Sequence, residues 1–408
     1  MGRGFLNNYG QTILLLLGVL AGALCGSFFG PSASIVRPLG ELFLNLMFVI
    51  VIPLVFFSIA SSMCGLTSEK MVGKTIGWSL IVFLSLSIIA ATVTWLVCEA
   101  FNPLGQFTLG SLPESMDSSG EGTTGPPAGK VFASLFTVDD FPKLLSNNHL
   151  LPLIVFACIV GVATSLCEDK GKPIANLLSS GMEVSIEFVN ILMYVAPLCL
   201  GCYFADLVGN MGGQIIGGYL NSLVVYLIVT VVIYFGFSTL YAFLAGGRKT
   251  VRDFWRAILA PSLMSVSTCS SAACIPSAME AARKMGVRNE IAESVIPFGI
   301  NLHKDGSVIC CVIKIVFAIA FMGLSGYSGF EIVAIAIISS LVVGAIPVGG
   351  LTSGVLICSI LGITPEFAAP LVVINTIVDI PATLLNTTGN ISSALLVDRL
   401  CRVKRDLH

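Results

Sequence analysis

The chain of 408 residues is 55% hydrophobic and only 11% charged, with a formal net charge of -2 and a mean hydropathy of +0.95. So much apolar sequence excludes a soluble globular protein and predicts an all-α polytopic membrane protein. There is no basic excess to bind nucleic acid, and the 13 cysteines lie almost entirely in apolar segments, where a thiol acts as a small hydrophobe.

Apolar segments of spanning length run at about Thr12 to Phe29, Leu42 to Ala60, Ile76 to Cys98, Leu150 to Leu166, Val184 to Leu207 and Gly217 to Leu244. The first follows Arg3 and contains Ala21-Gly-Ala23, the outline of a secretory leader. Its length and the five spans behind it favour a retained helix. Residues 102–148 are rich in Gly, Ser and Pro and read as a flexible extracellular insertion. Cys199-Leu-Gly-Cys202 has the CxxC spacing but no His or second pair to complete a metal or redox site. The basic residues fall at Lys70 and Lys74, at Lys170 and Lys172, and from Arg248 to Arg256. That alternation puts these loops and the N-terminus in the cytoplasm.

Beyond Pro261 two broken apolar segments alternate with two that carry carboxylates. The first turns within Ser265–Pro276 and has basic residues on both flanks, which predicts a hairpin re-entering from the cytoplasmic side. The second, about Val333 to Leu361, is interrupted at Gly344-Ala-Ile-Pro-Val-Gly-Gly350. No Lys or Arg occurs from Gly323 to Asp398, so this hairpin should enter from outside. The expected architecture is eight transmembrane helices plus two re-entrant hairpins in an inverted repeat, with a substrate site near the bilayer midplane.

Ser267, Thr268, Ser270 and Ser271 precede a half-helix and can offer hydroxyl and N–H groups to an anion, although small residues also make a helix-packing seam. The glycines of Gly344–Gly350 would let the second loop move as a gate. Asp379, Thr383, Asn386 and Asn390 are spaced to share one helix face, and such a row inside a bilayer must face protein or water. A carboxylate at Asp379 suits an ammonium group, and Pro381 removes a backbone donor nearby. In Asn301-Leu-His-Lys-Asp-Gly-Ser307 an unwound backbone and Asp305 suit Na⁺, or Asp305 pairs with Lys304 or Lys314. His303 fits a proton carrier or a hydrogen-bonded structural histidine.

At these residues the chain resembles the dicarboxylate/amino acid:cation symporter family. Ser267-Thr-Cys-Ser-Ser271 with Pro276 is similar to the serine-rich hairpin of that family, Asp305-Gly-Ser307 to the end of its Asn-Met-Asp-Gly-Thr motif, and Asp379 to Asn390 to its eighth helix. Ile52-Pro-Leu-Val-Phe-Phe57, Leu151-Pro-Leu-Ile-Val-Phe156 and Tyr194-Val-Ala-Pro197 extend the likeness along the chain. The resemblance implies transport rather than catalysis, by a lipid-embedded homotrimer of the elevator-type glutamate transporter fold in the plasma membrane, with both termini cytoplasmic. Residues 1–70 and 150–210 would form mainly scaffold, and 71–101 and 217–400 mainly the transport domain. It further implies that Ser270 and Ser271 hold a substrate carboxylate with help from Asn386, that Asp379 takes an amino group, and that Thr383 and Gly349 line the site. Asp305, Ser307, Asn390 and carbonyls near His303 would ligate Na⁺.

Five positions modify that picture. Ala382 and Cys269 stand where members that carry acidic substrates have an Arg, which favours a small neutral amino acid over an acidic amino acid or C4-dicarboxylate. Lys304 replaces Met, beside His303 in place of Asn, and Asn390 replaces a carboxylate. Lys304 is then expected to act as a tethered cation, with fewer Na⁺ ions coupled or H⁺ in their place. A substrate-gated ion channel on the same frame is the reading from a different class.

Overall fold

The computed structural model describes residues 2–68, 73–101, 137–146, 149–211, 214–324, 326–342, 349–364 and 367–403. The expected gate, Gly344–Val348, and most of the 102–148 insertion lie outside these residues. Among the described residues the regular structure is helical, as a bilayer demands of a chain that must satisfy its own backbone polar groups.

Helix α1 (Gly2–Phe29) passes through a 3₁₀ turn into α2 (Arg37–Ser68), and α3 spans Gly73–Phe101. After the insertion come α4 (Leu150–Leu166), α5 (Lys172–Met193) and α6 (Ala196–Met211). Helix α7 (Gln214–Val231) runs through a π-turn into α8 (Ser238–Ala257), which is kinked at Gly246-Gly247. Then follow α9 (Leu259–Thr268), α10 (Ile275–Lys284), α11 (Asn289–Leu302) and α12 (Asp305–Phe321). The chain ends with α13 (Gly329–Val342), α14 (Gly349–Leu361) and α15 (Ala368–Val403). Among the described residues, four helical stretches are long and apolar enough to cross a membrane: Ile13–Ser61, Thr75–Phe101, Ile216–Thr268 and Ala368–Arg402.

One expected span is not a single helix. The apolar run from Val184 to Leu207 is divided between α5 and α6, which meet at a bend of 62°. Pro197 has no N–H to give the Met193 carbonyl, so the helix cannot continue its bonding pattern there. Tyr194 and Val195 instead close tight turns onto Ile191 and Leu192, at 3.3 and 3.1 Å.

Packing divides the helices into groups. Gly18, Gly22 and Gly26 of α1 lie against the backbone of Pro197, Gly201 and Ala205 of α6, so closely that any Cβ would strike a carbonyl oxygen. This is a small-residue seam of the kind that joins helices in lipid. Helix α2 packs on α4 and α5, where Ala60, Ala157 and Leu178 form a small buried cluster. The larger core centres on α12, which is surrounded by α3, α7, α13, α14 and α15. A third cluster holds α8, α10 and α11 to the end of α15. There Arg288 and Arg402 both pair with the buried Asp398, each at 2.6 Å, fixing the end of α15 to the start of α11.

Candidate substrate and cation site

Between α11 and α12 the helix is interrupted by two extended residues, His303 (φ -121°, ψ 105°) and Lys304 (φ -135°, ψ 82°). Such a break exposes backbone groups that need partners. The Gly306 N–H donates to Asn386 Oδ1 at 2.9 Å, and the Tyr226 hydroxyl donates to the Gly306 carbonyl at 2.9 Å. Gly306 lies directly on the Ala382 backbone with no room for a Cβ, so α15 is held in fixed register with the start of α12.

The predicted polar face of α15 therefore meets the break in α11–α12. Thr383 turns its hydroxyl back to the Asp379 carbonyl at 2.9 Å, and Asn390 Nδ2 donates to the Asn386 carbonyl at 2.9 Å. Half-buried Asp379 and Lys304 exert the principal charge effect on each other, without direct ion-pair contact among the described residues. Helix α9, which leads into the first hairpin turn at Cys269, packs on α15 as well.

In that turn Cys269 ends α9 in the left-handed conformation (φ 50°), and α10 begins at Ile275 with Pro276 in its first turn. The Ala273 N–H donates to Ser270 Oγ and the Ser270 N–H to Thr268 Oγ1, both at 3.3 Å. Ser270 and Ser271 are half-buried. The turning point thus falls where the Ser/Ala/Cys-rich sequence placed it. Gly349 opens α14 beside the undescribed loop, and Ser307 lies half-buried in the first turn of α12.

Asp305 is 2% exposed, and its charged neighbour is neither Lys304 nor Lys314. Its Oδ1 sits 3.0 Å from His303 Nε2, without the alignment of a hydrogen bond. The His303 ring stacks on Phe83 with centroids 4.9 Å apart, and its Nδ1 lies 3.4 Å from Ser393 Oγ. The Ser393 hydroxyl donates to the Gly389 carbonyl at 2.9 Å, which leaves Nδ1 as the donor to Ser393. Phe83, which holds the histidine from α3, carries no sequence signal of this role beyond being apolar.

Asp305 Oδ1 and Asn390 Oδ1 are both buried acceptors with no hydrogen-bond donor. Unsatisfied buried oxygens are costly, and each favours a cation or proton beside it. The donor set fits a small hard cation, since carboxylate, amide and unwound carbonyl oxygens are its preferred ligands.

The chain matches the family model described as "Sodium:dicarboxylate symporter family" over residues 12–400. Among curated relatives it is 26% identical over 315 residues to "C4-dicarboxylate transport protein 2" of Mesorhizobium japonicum, covering 75% of this chain and 69% of that one. It is 25% identical over 404 residues to the "C4-dicarboxylate transport protein" of Rhizobium leguminosarum bv. trifolii, covering 95% and 88%. To the "Proton/sodium-glutamate symport protein" of Bacillus caldotenax it is 26% identical over 397 residues, covering 94% and 92%. Broken helix, hydroxyl-lined turn and polar helix face thus come with a match along almost the whole length, and the chain belongs to the sodium:dicarboxylate symporter family.

Proposed function

We propose that the protein is a cation-coupled symporter whose substrate carries two carboxylates, a C4-dicarboxylate or an acidic amino acid. The observation that carries this reading is the position of Lys304. Ala382 leaves the polar face of α15 from Asp379 to Asn390 without a cation, but Gly306 rests on Ala382, and Lys304 lies two residues before Gly306 in the extended segment, in the field of Asp379. The positive charge missing from one element is thus available from the facing one. This replaces the expectation of a neutral amino acid, which rested on Ala382 and Cys269 alone, and the names of the relatives favour the same alternative.

In this reading Ser270 and Ser271 hold one carboxylate from the hairpin turn, with Asn386 fixing the backbone opposite. Lys304 meets the second carboxylate as a point charge rather than a bidentate fork. Asp379 keeps Lys304 oriented and would receive an amino group where the substrate has one, while Thr383 and Gly349 complete the wall. Asp305, Asn390, Ser307 and carbonyls near His303 would hold Na⁺, whose charge offsets that of the incoming anion. A proton on the His303–Asp305 pair is the alternative coupling charge.

The elevator mechanism, the eight spans with two re-entrant hairpins, the homotrimer and the plasma-membrane topology with both termini inside belong to the same proposal. Their support is the division of the helices: α1 and α6 pack together, and α2 packs with α4 and α5, while α3 packs with α12 and α15. A cavity of about 80 Å³ lies between the two sets, lined by Leu15, Met47 and Leu200 on one side and Leu351, Val372 and Thr376 on the other.

The test is uptake into proteoliposomes with Na⁺ and H⁺ gradients imposed separately. Gradient-driven accumulation of succinate or aspartate is expected. Accumulation of serine or alanine that succinate does not inhibit would overturn the substrate class. Flux of any substrate that never exceeds equilibration would leave a channel instead of a symporter.

A further inference from the structure

Lys314, on α12, is fully buried, at 0% exposure, and pairs with no carboxylate among the described residues. It stands nine residues after Asp305, which is about 13 Å along the helix axis. Its Nζ donates instead to three neutral oxygens: the Gly350 carbonyl at 2.8 Å, Ser353 Oγ at 3.1 Å and Asn375 Oδ1 at 3.4 Å. Two of these oxygens belong to α14 and one to α15. An ammonium has three N–H donors, and here all three are used.

The surroundings make the arrangement specific. Gly350 lies against the Asn375 side chain with no space for a Cβ, and Ser353 Oγ donates to the Gly350 carbonyl at 3.1 Å. The thiols of Cys310 and Cys311 are the titratable groups on which Lys314 acts. A buried cation with no anion nearby is stable only while its dipolar ligands stay in place. Lifting α14 away would take two of the three. Carbonyl, hydroxyl and amide oxygens are also the ligands that a free monovalent cation prefers.

We propose that Lys314 is a tethered cation that clamps α14 onto α12 and α15, its ammonium filling an oxygen cage that accepts a free monovalent cation once the lysine is removed. The cage is distinct from the Asp305–Asn390 site, and it holds whether or not the substrate carries two carboxylates. Lys314 acts as a positioning residue for the helix that enters the site at Gly349.

Hydrogen–deuterium exchange on the purified full-length protein tests this without reference to transport. In Lys314→Ala, exchange over residues 349–361 should rise by about tenfold or more, the factor expected from losing charge-assisted bonds, while α1 and α6 stay unchanged. Adding n-propylammonium, which carries the atoms removed, or Na⁺ should slow it again, and n-propanol should not. Ser353→Ala keeps the lysine and removes one oxygen, and it should show a smaller rise confined to α14, providing the same readout if Lys314→Ala does not fold. Unchanged α14 exchange in both variants overturns the proposal. So does a rise in Lys314→Ala that no monovalent cation reverses.

Discussion

Asn386 accepts the Gly306 N–H through its side-chain oxygen at 2.9 Å, and this one bond joins the polar face of α15 to the first turn of α12. Removing the acceptor leaves a buried donor unpaired. Asn386→Ala should therefore cost about 1–3 kcal/mol, seen as a lowered thermal midpoint, while Asn386→Asp, which keeps the acceptor, should lose much less. Equal losses in both variants would mean that the bond is not what holds the break in register.

Lys304→Met should reduce uptake of succinate or aspartate by roughly tenfold or more, since a charge-assisted contact to carboxylate is lost. Ala382→Arg added to Lys304→Met should recover part of that uptake, because it returns a cation to the facing helix. If Lys304 serves only to neutralise Asp379, then Asp379→Asn will rescue Lys304→Met and Ala382→Arg will not.

Gly22→Leu in α1 should destabilise the protein strongly, because the Gly201 backbone occupies the space the side chain needs. The check is the elution profile and thermal midpoint in detergent. Gly77→Ala in α3, with open space around its Cβ position, is the control and should be nearly silent.

At the start of α13, Ser328 and Glu331 form a reciprocal cap. The Ser328 N–H donates to Glu331 Oε2 at 2.7 Å, and the Glu331 N–H donates to Ser328 Oγ at 3.3 Å. The bonds from the Ser328 N–H and hydroxyl hold the Glu331 carboxyl below its ordinary range. A group whose pKa falls on folding stabilises the fold above its unfolded value, about 4.3, and loses that contribution as pH drops through the lower folded value. The protection factor at the first turn of α13, exchange corrected for its intrinsic pH dependence, should accordingly fall below about pH 4 in the wild type and vary far less with pH in Glu331→Gln.

The broken helix and the polar helix face of the candidate site were legible because the chemistry forced them into the sequence. Polar residues and a carboxylate inside an apolar run predicted the break at His303-Lys304, and the four-three-four spacing put Asp379 to Asn390 on the face that meets it. The partners within the site were not legible. Whether Asp305 would pair with Lys304 or Lys314 or stand as a cation ligand depended on the approach of other helices, and what the structure sets beside it is His303, held by Phe83 and Ser393 from two helices distant in sequence. Lys314 was concealed in the same way, since Gly350, Ser353 and Asn375 have no periodic relation to it. The bend between α5 and α6 was missed for a different reason. Apolar content runs through it unbroken, and only Pro197 marks the missing donor. The glycine stripe of α1 was present at four-residue spacing, but it becomes informative only when paired with the stripe on α6.

That stripe has a mechanical consequence. Helices normally slide past one another by letting intervening side chains change rotamer, and between α1 and α6 no such layer exists at Gly18, Gly22 and Gly26. Backbone rests on backbone, so the two helices behave as a single rigid plank. In the proposed elevator reading, displacement would spare that contact and fall instead at the cavity where deformable side chains such as Leu15, Met47, Leu351 and Val372 meet and can serve as the bearing.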